Sequence, residues 1–270
     1  MIYETIDLGL KGATLTPICV SNTPELRQSP RRAVVVCPGG GYGGLSDREA
    51  EPIATQFLAA GFATFVLRYS VKADAAGDTP LRQVALAVKY VREHAEEFNV
   101  NPHCILTCGF SAGGHLAGSA GVLWNDPALL AYLGDAPEGI HRPDGMILCY
   151  PVITAGEWAH KGSIRKLCGK EDFSKEEGDR YSLELHVDST TPPAFIWHTF
   201  NDTCVPVQNS LLLAEAMTAA KIPFELHIFP EGPHGLALCN EQTRMINPHC
   251  ECWVDLAIKW AKELNAESNS

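Results

Sequence analysis

The chain of 270 residues holds no uninterrupted apolar run approaching the roughly 20 residues that a membrane-spanning helix needs. Positive charge is also scarce: 21 Lys and Arg stand against 32 Asp and Glu, a net charge of −11. Nucleic acid and anionic membrane surfaces repel such a chain, so neither is expected as a partner. The opening stretch Met1-Ile2-Tyr3-Glu4-Thr5-Ile6-Asp7 has acids where a secretory leader carries a basic and then an apolar segment, and a cytoplasmic location is expected. Internal repeats, low-complexity segments and linkers are missing as well. Residues 1–270 therefore read as one domain, large enough to bury a sizeable core.

Signals for metals and bound cofactors are equally thin, and none is expected. Only Pro248-His249-Cys250-Glu251-Cys252 groups metal-ligating residue types, and it lacks a second ligand pair at a recognisable spacing. The ten cysteines are expected to be reduced. Cys37, Cys104, Cys108 and Cys149 fall inside apolar runs, where a thiol acts as a small hydrophobe. No G-x-x-x-x-G-K-[ST] loop occurs, and no G-x-G-x-x-G with a downstream acid.

What is present is an alternation of strand-like and helix-like segments, the pattern of a mainly parallel sheet flanked by helices. Strands are expected at 33–37, 63–67, 104–108, 146–149, 194–199 and 224–229, each a short apolar run. Helices are expected near 51–60, at 81–98 on the spacing of Leu81, Val84, Val88, Val91 and Phe98, and at 112–123, 207–219 and 253–264. Asn101-Pro102 breaks the pattern before the 104–108 strand. Periodicity fades between Pro151 and Pro193, which reads as an insertion covering the sheet.

Gly109-Phe110-Ser111-Ala112-Gly113 matches G-x-S-x-G between a strand and a helix. So sharp a turn strains the serine backbone, needs small neighbours and points the hydroxyl outward. A purely structural Gly/Ser turn is the competing reading. A serine nucleophile requires a base. His234 lies in Pro230-Glu231-Gly232-Pro233-His234-Gly235, just past the last strand, at the end where ligands collect in such sheets; a turn histidine is the alternative. His198 and His227 fall inside strands and read as core or surface residues. Asp202 follows the 194–199 strand and either orients the imidazole or caps the next helix. Pro38-Gly39-Gly40-Gly41-Tyr42-Gly43-Gly44 follows the 33–37 strand and can turn amides toward a developing oxyanion, with Ala112 supplying a further N–H.

With these motifs the chain resembles the α/β-hydrolase superfamily along nearly its whole length. More narrowly it resembles the hormone-sensitive-lipase-like esterases and the bacterial acetyl xylan esterase-like proteins. The narrower likeness rests on Pro38-Gly39-Gly40-Gly41-Tyr42, on Gly109 to Leu116, on Asp202 with Val205-Pro206, and on Gly232-Pro233-His234-Gly235. Lipase-like members usually carry histidine before the three glycines. Pro38 stands there in this chain, which shifts weight toward the carbohydrate-esterase-like branch.

The resemblance implies an α/β-hydrolase fold, with a mainly parallel central sheet, flanking helices and a small cap-like insertion at about 151–193. It implies a Ser111, His234 and Asp202 triad in the chain order of that fold, with oxyanion donors at Gly40, Gly41 and Ala112. The implied activity is a serine esterase for short acyl, above all acetyl, esters on xylo-oligosaccharides or related sugars. An aryl-formamidase or small peptidase with the same triad is the alternative among hydrolases; a non-catalytic binding protein on a hydrolase fold is the alternative from another class. Tyr42 and Trp158 are placed as substrate contacts, though each also suits packing. His115 is expected to pack or hydrogen-bond beneath the serine turn, and Trp197 to lie in the core.

Overall fold

The computed structural model describes residues 4–23, 25–26 and 29–264; Met1, Ile2 and Tyr3 of the N-terminal stretch lie outside these. Eight strands, β1 (Ile6–Asp7), β2 (Thr14–Ile18), β3 (Arg31–Cys37), β4 (Ala63–Arg68), β5 (Val100–Phe110), β6 (Gly145–Cys149), β7 (Ala194–Thr199) and β8 (Phe224–Phe229), form one sheet. Their order is β1-β2-β4-β3-β5-β6-β7-β8. From β4 onward every neighbour is parallel, while β1 and β2 add an antiparallel edge. The order reverses at β3, whose neighbours are β4 and β5, and sites in open α/β sheets form at such a reversal.

The strands are continuously apolar because both faces of the sheet are buried. Ala33, Val35 and Cys37 of β3 face one core, and Val34 and Val36 face the other. The first core is closed by α2 (Thr79–Glu93), α4 (Ala112–Val122) and α8 (Gln208–Ala219), through Leu81, Val84, Val88, Leu116, Leu213 and Met217. The second is closed by α1 (Glu51–Ala59) and α9 (Trp253–Glu263), through Ile53, Phe57, Trp253 and Ala257. Trp197 is fully buried in this second core. Among the described residues no helix is long and apolar enough to cross a membrane.

Two expectations need correction. The helix expected at 81–98 stops at Glu93 and resumes as α3 (Ala95–Phe98), with Asn99 left-handed at its end. Asn101-Pro102 does not precede β5 but lies within it: Arg31 pairs with Val100 and Ala33 with Ile105, so an irregularity in register absorbs the proline. Residues 151–193, where periodicity fades, have local structure of their own. They contain α6 (Lys161–Cys168) and α7 (Lys175–Asp179), the latter opened by a Ser174–Glu177 capping box. Before them, at 127–133, lies α5 (Pro127–Leu133), capped by Asp126.

The helix after the serine turn lies hard against the sheet. A Cβ on Gly113 would stand 2.1 Å from the Cys37 carbonyl oxygen and 2.3 Å from that of Pro38. Both are backbone atoms that cannot swing away. Gly44, by contrast, faces open space. Gly113→Ala is therefore expected to cost about 3 kcal/mol or more, and Gly44→Ala to stay within about 0.5 kcal/mol of the parent; denaturant titration of both variants checks the difference.

Candidate active site

Ser111 occupies the turn between β5 and α4 with φ of 53°, a region costly for a non-glycine residue. Surrounding backbone bonds hold it there. Its amide donates to the Cys149 carbonyl at 3.0 Å, and its own carbonyl accepts from Val152 at 3.1 Å and His115 at 3.0 Å. The turn is thus tied to the end of β6 as well as to α4. Gly109 clears the way, since a Cβ there would meet the Gly113 oxygen at 2.0 Å.

The structure brings Ser111, His234 and Asp202 together. His234 Nε2 lies 2.7 Å from Ser111 Oγ, and His234 Nδ1 lies 2.6 Å from Asp202 Oδ2. A carboxylate can only accept, so the proton sits on Nδ1 and leaves Nε2 able to take one from the serine. The other Asp202 oxygen accepts from the amides of Cys204 at 2.8 Å and Val205 at 3.0 Å. His198 completes the surround. Its Nε2 lies 2.9 Å from the Val205 carbonyl and 3.3 Å from Asp202 Oδ2, while Nδ1 lies 2.8 Å from Ser210 Oγ. Because the Val205 carbonyl only accepts, Nε2 carries the proton and the Ser210 hydroxyl donates to Nδ1. Burial alone would push the Asp202 carboxyl up; hydrogen bonds from His198 and His234, with charge on His234, hold it well below the usual carboxylate range.

The loop bearing His234 is fixed to the end of β7. Asn201 Oδ1 accepts from the Gly232 amide at 2.8 Å, and Thr199 Oγ1 donates to the Gly232 carbonyl at 2.8 Å. The Tyr150 ring packs edge-on against the imidazole, with centroids 5.1 Å apart.

Across the cleft, the glycine loop folds back on itself through Gly43 and Gly44 amides donating to the Gly40 carbonyl at 2.9 and 3.2 Å. The Gly39 amide is already committed, donating to Glu49 Oε2 at 2.9 Å. Gly40 and Gly41, at φ of 132° and 61°, have amides with no acceptor among the described residues. Ala112 opens α4, where an amide has no intrahelical acceptor. The head of the glycine loop adjoins the serine turn, since a Cβ on Gly39 would stand 3.2 Å from Ser111 Cβ. Glu49, buried at 3% exposure, also accepts from Tyr150 Oη at 2.7 Å, and that hydroxyl accepts from the Ala237 amide at 2.9 Å. The carboxylate thereby joins the glycine loop to the turn after β6 and the loop after His234. Burial raises its pKa above the ordinary value, against the opposing hydrogen bonds from Tyr150 and Gly39.

Tyr42 must be corrected. It is not at the mouth but buried, at 1% exposure, because a left-handed backbone (φ 53°) turns the ring inward. Its hydroxyl lies 2.9 Å from His115 Nδ1, and His115 Nε2 lies 2.9 Å from the Tyr181 carbonyl. The carbonyl fixes the proton on Nε2, so Tyr42 donates to Nδ1. His115 is a buried hydrogen-bonding residue beneath the turn. Trp158 stands 37% exposed ahead of α6, its carbonyl accepting from Asn209 at 2.9 Å.

Glu49, His160, His198 and Asn201 were not singled out from the sequence as site residues. His160 is half-buried, with Nδ1 2.8 Å from Ser163 Oγ and its Cε1 3.6 Å from where a Cβ on Gly41 would stand. Burial, with the charges of His234 and Lys166, lowers its pKa. Asn201 adjoins Asp202 and is legible as part of that loop. The other three carry no local signal.

Comparison with known proteins places the chain in a family. The family model described as BD-FAE matches residues 22–217. The chain is 39% identical over 218 residues to endo-1,4-beta-xylanase B of Butyrivibrio fibrisolvens, covering 78% of this chain and 33% of the relative. It is 35% identical over 211 residues to the acetylxylan esterase of Xylanibacter ruminicola, covering 76% of this chain and 41% of the relative. The chain thus spans well under half the length of both. The crystal structure of an acetyl ester-xyloside bifunctional hydrolase from Caldicellulosiruptor lactoaceticus superposes with a TM-score of 0.84 at 32% identity, covering 97% of this chain and 96% of that one.

Burial of His115 sets an acid limit on stability. Its pKa is lowered from 6.5 to about 4, chiefly by desolvation. The unfolded chain then binds the proton that the folded chain refuses, so stability is complete above pH 6.5 and falls as pH drops toward 4, by about 3 kcal/mol. Urea titrations at pH 7, 5.5 and 4 are expected to show this loss in the parent and a shallower one in His115→Gln.

Proposed function

Because the chain belongs to the BD-FAE family of the α/β-hydrolase superfamily, we propose that it is a carboxylic ester hydrolase whose nucleophile is Ser111. The observation that carries the reading is the continuous hydrogen-bonded line from Ser111 Oγ through His234 to Asp202, at 2.7 and 2.6 Å. His234 removes the serine proton as Oγ attacks the ester carbonyl, and the buried Asp202 carboxylate stabilises the imidazolium that forms. The oxyanion is received by the Gly40, Gly41 and Ala112 amides. Return of the proton from His234 expels the alcohol and leaves an acyl-serine. Water, deprotonated by the same imidazole, then releases the acid.

The favoured acyl group is acetyl, carried on a xylo-oligosaccharide or related sugar. Support comes from the acetylxylan esterase and the acetyl ester-xyloside hydrolase among the similar proteins. Segment 151–193 lies over the glycine loop, where His160 approaches Gly41, and we assign it as the cap bounding the acyl group. Trp158, exposed two residues earlier, offers a ring face for a sugar.

Release of p-nitrophenol from acetyl, butyryl and octanoyl esters tests the proposal, with acetylated xylo-oligosaccharides as the second substrate. The acetyl ester is expected to react fastest, and Ser111→Ala to lower kcat/KM by about 10⁴-fold or more. Asp202→Asn is expected to lower it by about 10³- to 10⁴-fold. Activity that survives Ser111→Ala unchanged would overturn the mechanism.

A further inference from the structure

Beside the glycine loop lies a second feature, which the acyl-transfer mechanism does not use. A cavity of about 650 Å³ is bounded by Gly43 on one side and by Gly162 and α6 on the other, and four cationic side chains line it: Lys72, Arg165, Lys166 and Lys170. In a chain with net charge −11, such a grouping runs against the general surface. Two of the four are already neutralised. Arg165 pairs with Glu171 at 3.4 Å, and Lys170 pairs with Glu177. The other two are not. Lys166 Nζ donates only to the Gly162 carbonyl, at 3.2 Å, and among the described residues neither Lys166 nor Lys72 has a carboxylate partner in that cavity. Lys72 is exposed, yet its backbone is held at φ 61° with its amide donating to the Tyr42 carbonyl at 2.7 Å. The loop that presents the oxyanion donors therefore also positions this lysine.

The cavity and the cleft share a wall. Gly43, whose amide bonds to Gly40, sits so close to Lys166 that a Cβ there would meet its Cε at 3.0 Å and its Nζ at 3.7 Å. Gly162 adjoins His160, which faces Gly41. A group in the cavity is thus one loop-width from the reacting carbonyl. Unpaired cations at the edge of a cleft attract an anion, and a neutral sugar has no use for them. The volume suits a single ring with its substituents.

We propose that this cavity is a subsite for a carboxylate carried by the ester substrate, such as a uronic acid branch on the sugar. Lys72 and Lys166 supply the charge, and Gly43 leaves the room. The inference rests on the esterase reading for its substrate, but the binding arm of its test does not depend on turnover.

Binding is measured by calorimetry at low ionic strength on the Ser111→Ala protein. The probes are a xylo-oligosaccharide with one glucuronic acid branch and the same oligosaccharide without it. The acidic sugar is expected to bind about tenfold more tightly, and the preference to shrink toward unity in about 0.5 M salt and after Lys72→Gln/Lys166→Gln. A second arm compares p-nitrophenyl hydrogen succinate with p-nitrophenyl butyrate, in the parent and in the double lysine variant. It reports the ratio of the two kcat/KM values, so loss of folded protein cancels. A lysine-dependent preference for the succinate places the carboxylate on the acyl side, and one confined to the branched sugar places it on the alcohol side. Equal handling of charged and neutral members in both arms, or a preference undiminished in the lysine variant, overturns the proposal. A parent protein inert toward every ester overturns the esterase reading instead, and the sugar-binding arm still decides the subsite.

Discussion

Everything at the candidate site depends on how closely α4 approaches the ends of β3 and β5. The contact is backbone on backbone, because Gly109 and Gly113 have no room for a Cβ. That closeness drives Ser111 into the left-handed region, and hydrogen bonds to Cys149, Val152 and His115 hold it there. The strain is localised in one residue and offset by neighbours on β6, on α4 and in the loop after β6. The serine hydroxyl, the Ala112 amide and the glycine loop consequently share one small volume. Side chains refine that volume, but the absence of side chains creates it.

Around this contact the polar groups are arranged in closed sets. Asp202 accepts from His234, from two backbone amides and from the neighbourhood of His198. Glu49 accepts from Gly39 and Tyr150, and Tyr150 in turn accepts from Ala237. A buried carboxylate without such partners would be costly. With them, each becomes a rigid junction between loops that leave different strands. Glu49 also commits the Gly39 amide, which is therefore not free for another acceptor.

Much of this was legible in the sequence because parallel strands and glycine-rich turns leave strong local marks. The six parallel strands were readable from apolar runs such as Ala33–Cys37 and Ala194–Thr199. Ser111 stood out from its flanking glycines and its place between strand and helix. The edge strands β1 and β2 were missed: the first has two residues, and the second carries Pro17, so neither shows an apolar run. The short helices of 151–193 were missed for a related reason: α6 spans two turns with Ile164 and Leu167 as its buried apolar residues, and α7 is one turn fixed by its capping box, too short for a periodic stripe. Tyr42 was misplaced because a positive φ cannot be read from a tyrosine beside glycines. Glu49 and His198 carry no mark of their role, because burial beside a distant partner is a property of the tertiary fold. His198 reads as an ordinary strand residue until β7 is set next to the Asp202 loop.

The link from Tyr42 through His115 to Tyr181 ends on a main-chain carbonyl rather than on a side chain. Its demand on segment 151–193 is therefore one of path, not of composition. Any stretch of chain that passes that point with a carbonyl facing inward satisfies the imidazole and leaves the loop beneath undisturbed. Side chains of this segment can then be exchanged without disturbing that hydrogen bond. A laboratory graft of this segment from a relative would have a few backbone atoms to preserve, the Tyr181 carbonyl on His115 and the Val152 amide on Ser111 among them, and freedom in its side chains.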